Sequence, residues 1–207
     1  MTAFIVTLVV AGNVLGTGMA LPQAVRIVRT GDTNGVSGMW AGVSIAMNLW
    51  WLTYGIANHI WGLVPTSALA AVLYGVIASS FVRARGARAA GRIAVGSIGV
   101  GAVPAAALLI GGWTAAGLAI GLCYGLQLAP AVVASLRTRE LSGVAAATWL
   151  MAWGEALIWS IYGVFVADIA LLSGGGSGFV MATVILVRLA VTGHQPFRVR
   201  RIVPASV

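Results

Sequence analysis

Charged residues are scarce in this chain. Only 8% of its 207 residues are charged, with 12 basic and 4 acidic side chains, whereas 60% are hydrophobic. An ordinary soluble domain carries about 25% charged residues. So few charges cannot cover the surface of a soluble globular protein, and so apolar a composition is not that of a disordered chain. The composition therefore predicts an integral membrane protein.

Lysine is absent, and cysteine is nearly so. Cys123 is the only cysteine, which excludes a disulfide scaffold. The basic residues, all arginines, fall in short clusters between apolar runs instead of among exposed aromatic residues, so we expect no nucleic-acid partner. No nucleophile, base and metal ligands come together in the sequence, and we expect neither an enzyme nor a metal or cofactor site.

Long apolar runs fill most of the chain. A helix needs about 20 apolar residues to cross a bilayer core of about 30 Å. The runs are continuous and not alternating, which favours helices over the strands of a barrel. The sequence predicts an all-α fold of seven transmembrane helices, at 3–25, 36–56, 63–82, 93–111, 114–133, 144–166 and 168–189.

The arginines predict the orientation of these spans. In a seven-span arrangement all twelve lie on the same side of the membrane. Positive charge is retained in the cytosol, so we expect a multi-pass protein of the cell (inner) membrane, with its N-terminus outside and its C-terminus in the cytosol.

The chain repeats itself at an offset of 108 residues. Ten identities support the register, namely Pro22/Pro130, Val25/Val133, Arg29/Arg137, Thr30/Thr138, Gly35/Gly143, Val36/Val144, Leu49/Leu157, Trp51/Trp159, Tyr54/Tyr162 and Gly55/Gly163. Each repeat holds three spans, and the span between them restores the orientation, so the repeats are parallel. We expect a first three-helix repeat (1–82), a basic loop with a linker helix (83–111), a second repeat (112–191) and a cytosolic tail (192–207).

These motifs resemble those of a known family. The segments Leu21-Pro22-Gln23, Gly35-Val36-Ser37 and Asn48-x-x-Trp51-x-x-Tyr54-Gly55 are similar to a PQ-loop repeat of the SWEET sugar-transporter type. The second half matches more loosely. The resemblance implies two parallel three-helix bundles joined by a linker helix. The same superfamily includes cystinosin-like amino-acid exporters and KDEL-receptor-like proteins, so the resemblance indicates fold more firmly than substrate.

Two tryptophans at matched positions are the first candidates for substrate binding. Trp51 and Trp159 would face each other across the pseudo-twofold axis, where indoles can stack on the apolar face of a sugar. The resemblance places the pocket tryptophans of the family here; the alternative is an interfacial aromatic belt. Asn48 lies on the same helix face as Trp51 and would contact substrate or bridge helices.

Glu155 is predicted near the middle of the sixth span, one turn before Trp159. A charge at such a position costs about 2.5–3.5 kcal/mol on insertion scales. We therefore expect Glu155 to face the interior. There it would couple protons, bind a cationic or hydroxyl-rich substrate, or bond to a neighbouring helix.

Prolines near the cytosolic helix ends are candidate hinges. The resemblance implies that Pro22 and Pro130 bend their helices to close an inner gate, and the alternative is that they end the helices. Gln23 follows Pro22, whereas Ala131 follows Pro130.

The third span of each repeat departs from the family. Where SWEET-type proteins carry a Pro-Asn pair, this chain has Pro65-Thr66, and its second repeat has the glycine run that begins at Gly174. We include Thr66 and Gly174 among the substrate-binding candidates. The glycine run would break its helix or allow close packing. The loss of both asparagines weakens the expectation of sugar specificity.

Three functions follow as hypotheses. The first is a facilitative carrier of a small polar solute, with a mono- or disaccharide as the first expectation. The second is a proton-coupled carrier of an amino acid or cationic metabolite that uses Glu155, and the third is a receptor or scaffold that transports nothing. The small-residue stripe of Gly117, Gly121 and Gly125 predicts a packing seam within the chain or between copies in a homo-oligomer.

Overall fold

The computed structural model of this chain describes residues 2–31, 37–137, 141, 144 and 146–193, and within them all regular structure is α-helical. The six helices are α1 (Thr2–Thr30), α2 (Gly38–Ala57), α3 (Val64–Arg85), α4 (Ala87–Arg137), α5 (Ala146–Val166) and α6 (Ile169–Val191). All except α2 are long and apolar enough to cross a membrane. The predicted class, an all-helical multi-pass membrane protein, is confirmed. The chain is thus suited to embedding in a lipid bilayer.

α2 has the length to cross a bilayer but a lower hydropathy than the others. Its 20 residues would span about 30 Å at 1.5 Å per residue. Its tryptophan, tyrosine and asparagine side chains lower the hydropathy, and these include three residues singled out above, Asn48, Trp51 and Tyr54.

α4 is too long for one crossing, and it is interrupted in its middle. Its 51 residues would extend about 76 Å as a straight helix. The backbone leaves the helical conformation at Gly111 and Gly112, and Gly112 has a φ of 65°, which glycine adopts without strain. We call residues 87–110 the first arm and residues 113–137 the second arm. The boundary predicted between the fourth and fifth spans falls at this break.

The two arms of α4 pack on α2 in opposite directions. Along the first arm, the Ser97 hydroxyl donates to the Gly42 carbonyl, and the Trp50 indole donates to the Gly101 carbonyl. Residue numbers therefore increase in the same direction along α2 and the first arm, which run parallel. Along the second arm, Gly117 lies against Tyr54.

Farther along the second arm, Gln127 donates to the Ser44 hydroxyl. Residue numbers therefore increase in opposite directions along α2 and the second arm, which run antiparallel. α4 is therefore a helical hairpin.

Six helical segments form a ring. α3 packs between α1 and α2, and α6 packs between the second arm and α5. Contacts of α1 with α5, and of the second arm with α2, close the ring between the two halves. The first arm lies against α2. In both halves the third helix thus separates the first two, in keeping with the repeat.

Buried side chains form three clusters. One is shared by both halves and includes Tyr54, Leu63, Ile120, Tyr162 and Leu171. It lies toward the ends of the helices that carry no arginine. A second cluster lies within the first half, around Ile27 and Ile77, and a third lies within the second half, around Val132 and Ile185. The halves therefore share a core at one end and have separate cores at the arginine end.

Some predictions concern residues outside the described part of the chain. These are the loop motifs at Gly35 and Gly143, and the cytosolic tail beyond residue 193.

Candidate functional site

At the arginine-free end, a tyrosine and an aspartate join the two halves. The Tyr54 hydroxyl, near the end of α2, donates a hydrogen bond to Asp168 Oδ2 at 2.6 Å. Asp168 is the N-cap of α6 and accepts from the backbone N–H of Leu171 at 2.9 Å. The cap fixes the carboxylate, because it satisfies a donor that the helix itself leaves unpaired. Trp113 packs edge-on against Tyr54 at the same end.

Of the two predicted pocket tryptophans, Trp159 belongs to the shared core and Trp51 packs against it. Trp159 is buried, with 8% of its surface exposed, and it packs closely on Gly12 of α1. Trp51 is half-buried and covers Gly174 of α6, at the place that a side chain there would occupy. Each indole thus reaches from its own half onto a glycine of the other half, and neither belongs to an outer aromatic belt.

Glu155 faces the inside of the ring. Trp159 Nε1 donates to Glu155 Oε1 at 3.3 Å, and the carboxylate lies against Gly16 of α1. Thr66 of α3 approaches the same glycine and is buried. The absence of a side chain at Gly16 therefore leaves a space that a carboxylate from one half and a hydroxyl from the other half both border.

Four polar residues that are linked to Glu155, two of them directly and two through Tyr74, were not predicted from the sequence. Ser44 of α2 accepts a hydrogen bond from Gln127 Nε2 of the second arm at 3.0 Å, and it also bonds to the Tyr74 side chain. Tyr74 and Tyr124 both lie within electrostatic range of Glu155. We call Ser44, Tyr74, Tyr124, Gln127 and Glu155 the polar cluster. The missing signal is three-dimensional, because these residues come from four helices and share no sequence motif.

The residues of the polar cluster have no polar equivalents at the matching positions of the other repeat. At an offset of 108 residues, Glu155 corresponds to Met47, Tyr74 to Ala182, and Tyr124 to Gly16. Ser44 likewise corresponds to Ala152, and Gln127 to Met19. The ring is nearly symmetric in its helices, but the chemistry of its interior is not.

Asn48 makes only a local bond. Its side-chain N–H donates to the Ser44 carbonyl of its own helix at 2.8 Å, and the side chain is half-buried. The structure therefore shows no bond from Asn48 to another helix among the described residues, and its role in substrate binding stays a prediction.

The glycine run of α6 packs closely and does not break the helix. α6 is continuous from Ile169 to Val191. Gly174 lies under Trp51, and a side chain at Gly175 would meet the backbone of α5 at Ala156 and Ser160. Of the two alternatives, the break is wrong and close packing accounts for the run, because the helix continues through it while its small residues let α5 and α6 approach.

The glycine stripe of the second arm is a seam within the chain. Gly117 faces Tyr54, Gly121 faces Ser173, and Gly125 faces Ser177. Of the two alternatives, packing inside the chain accounts for this stripe.

The candidate hinge prolines lie within helices on the outer surface. Pro22 is inside α1, which continues to Thr30, and Pro130 is inside α4, which continues to Arg137. Both are exposed. The alternative that they end their helices is therefore wrong, and the hinge role stays a prediction. The side chain of Gln23 lies outside the described part of the structure.

We expect Tyr54→Phe to destabilise the protein by about 1.5–3 kcal/mol, the range for a hydrogen bond to a charged group. Thermal unfolding in detergent measures this. The repeat mate Tyr162 is the matched control, because the described residues offer its hydroxyl no hydrogen bond, so Tyr162→Phe should change stability little. Equal losses in the two variants would show that the Asp168 bond contributes nothing specific.

Within the described residues, no group of three or more histidine, cysteine, aspartate or glutamate side chains could hold a metal ion.

No protein-family model matches this sequence, and a search of curated proteins also finds no match.

Proposed function

We propose that this protein is a carrier that moves a small polar solute across the cell (inner) membrane by alternating access. The observation that carries the proposal is the arrangement of the cores. Both halves share packing and the Tyr54–Asp168 bond at one end, whereas at the other end each half has its own core. This is the arrangement expected of two bundles that rock against each other and are closed on one side.

The membrane arrangement is part of this proposal. With the two arms of α4 counted separately, the described residues form seven helical segments, and the first arm restores the direction of the second half. Among the described residues, the exposed Arg29, Arg83, Arg88 and Arg137 lie at one end of the bundle. The positive-inside rule then places this end in the cytosol and the Tyr54–Asp168 bond outside.

The side chains of the interior would suit a hydroxyl-rich solute, such as a mono- or disaccharide. Trp51 and Trp159 offer flat apolar surfaces, and the polar cluster, which contacts Trp159 through Glu155, offers hydroxyl, amide and carboxylate groups. Sugars combine apolar C–H faces with hydroxyl edges, so both kinds of group would be used. This arrangement and the resemblance to SWEET-type repeats point in the same direction.

A second candidate, a proton-linked carrier of a cationic metabolite, rests on Glu155. Its carboxylate faces the interior, where it could exchange a proton or bind an amine. A zwitterionic amino acid would also need a positive group for its own carboxylate. The polar cluster contains no arginine, lysine or histidine, which favours a simple cation over an amino acid in this alternative.

Uptake into proteoliposomes tests the proposal. We expect the purified protein to take up a radiolabelled member of a sugar panel, and Trp51→Phe and Trp159→Phe to reduce uptake severalfold, because the indole contact area is lost. Trp61→Phe is the matched control, since Trp61 is 61% exposed. Uptake of a cationic solute alone would select the second candidate, and no uptake from panels of sugars, amino acids and amines would contradict transport.

A further inference from the structure

The outer surface of the ring has two shallow grooves that end at arginines. Groove one, of about 290 Å³, lies between α1 and α3 and is lined by residues that include Leu21, Val25, Val28, Arg29 and Leu73. Groove two, of about 590 Å³, lies on the second arm of α4 and is lined by residues that include Leu126, Ala129, Pro130, Val133 and Arg137. We propose that each groove binds one anionic phospholipid, with an acyl chain along the groove and the phosphate on the arginine.

The grooves are related by the sequence repeat. At an offset of 108 residues, Leu21 of groove one corresponds to Ala129 of groove two. In the same way Val25 corresponds to Val133, and Arg29 to Arg137. The same helix face, ending in the same cation, therefore carries a groove in both halves. A surface irregularity of one helix would not recur at the matching place in the other half.

The walls of the grooves fit hydrocarbon. Val25 and Val133 are 38% and 42% exposed, and Val28 and Leu126 are more exposed still. Apolar surface of this kind on a membrane-spanning bundle faces acyl chains. The grooves lie outside the ring, away from the polar cluster, so this site is separate from the candidate solute site and does not depend on it.

The arginines fit a phosphate. Arg29 lies in the last turn of α1 and Arg137 in the last turn of α4, and both are exposed. A guanidinium binds phosphate oxygens through two parallel hydrogen bonds, which an ammonium cannot do. The end of the bundle that carries these arginines is also where anionic headgroups gather opposite basic side chains. The geometry therefore points to a phospholipid whose headgroup keeps a net negative charge.

Native mass spectrometry of the full chain with added phosphatidylglycerol tests this proposal. We expect two retained lipids per chain. Arg29→Gln and Arg137→Gln should each reduce this number to one, and the double variant to none. Filling the apolar walls with Val25→Trp and Val133→Trp together should also remove both lipids, although both arginines are kept.

Matched controls distinguish specific sites from general attraction. Arg83→Gln removes an exposed arginine at the same end of the bundle but outside both grooves, and should retain two lipids. Val187→Trp places a large ring on another exposed position near that end and should also retain two. Equal retention of phosphatidylcholine, or two lipids on the double arginine variant, would overturn the proposal. Loss of one lipid from Arg83→Gln would also overturn the proposal, because lipid binding would then depend on positive charge at this end of the bundle and not on the grooves.

Discussion

Replacing Gly42 with alanine should destabilise the protein by about 3 kcal/mol, at the upper end of the usual cost of overpacking. A Cβ at Gly42 would collide with the backbone carbonyl of Ile93 in the first arm. The contact is reciprocal, because a Cβ at Gly96 would collide with the carbonyl of Met39. Neither neighbour is a flexible side chain, so relief requires that α2 and the arm move apart. Thermal unfolding of purified protein in detergent measures the loss.

Gly99 provides the matched control in the same arm. A Cβ there meets nothing within 4 Å. Alanine should then stabilise the protein by about 0.5–1 kcal/mol, since it removes the entropic cost of glycine in a helix. The two substitutions should therefore change the unfolding temperature in opposite directions. A Gly42→Ala protein as stable as Gly99→Ala would show that the close approach of α2 to the arm is not maintained in solution.

We expect Glu155→Gln to have the largest effect on transport. A hydrogen bond to a charged group is worth about 1.5–3 kcal/mol and one to a neutral group about 0.5–1.5 kcal/mol. The amide oxygen of glutamine still accepts, so loss of the charge should raise the apparent KM about 10-fold for a solute that donates to the carboxylate. Glutamine keeps the shape of the side chain but cannot exchange a proton. If Glu155 couples protons, uptake by the wild type changes between acidic and neutral pH, and uptake by the variant does not. Initial uptake rates in proteoliposomes at two pH values measure both effects.

Thr53 provides the control for Glu155. It lies on an exposed face of α2, and within the described part of the chain its hydroxyl bonds only to the carbonyl of Leu49, one turn away in the same helix. Thr53→Val should leave KM and the pH profile unchanged. An unchanged KM and an unchanged pH profile in Glu155→Gln would remove this residue from the transport mechanism and the proton-linked candidate with it.

The sequence allowed much of the scaffold to be predicted, because hydropathy and the repeat depend on local composition. The helical class, the break near Gly111 and the inward position of Glu155 could all be predicted from these signals. A charge in a long apolar run has few stable alternatives to facing inward. The packing of Trp51 on Gly174 could be anticipated only in part, since the repeat related the two halves but not their distance.

The rest of the site depends on helix packing that the sequence does not encode locally. Tyr74, Tyr124 and Gln127 are ordinary residues for a membrane helix. Only the ring brings the two tyrosines near Glu155 and Gln127 to Ser44. The glycine run of α6 left two alternatives open at the level of sequence, a break or close packing. Glycine lowers helix propensity by about 1 kcal/mol per residue, but α6 is continuous and packs closely on α5, so close packing is the alternative that holds.

The unequal interior has a consequence for how a solute would be seated. A ring built from two equal halves would bind a solute in either of two orientations, related by a 180° rotation about the pseudo-twofold axis. Here a half-turn would exchange Glu155 for Met47 and Tyr124 for Gly16. Only one orientation of the solute would keep its polar contacts. Although the helices are duplicated, the interior would therefore bind one molecule at a time, in a single orientation.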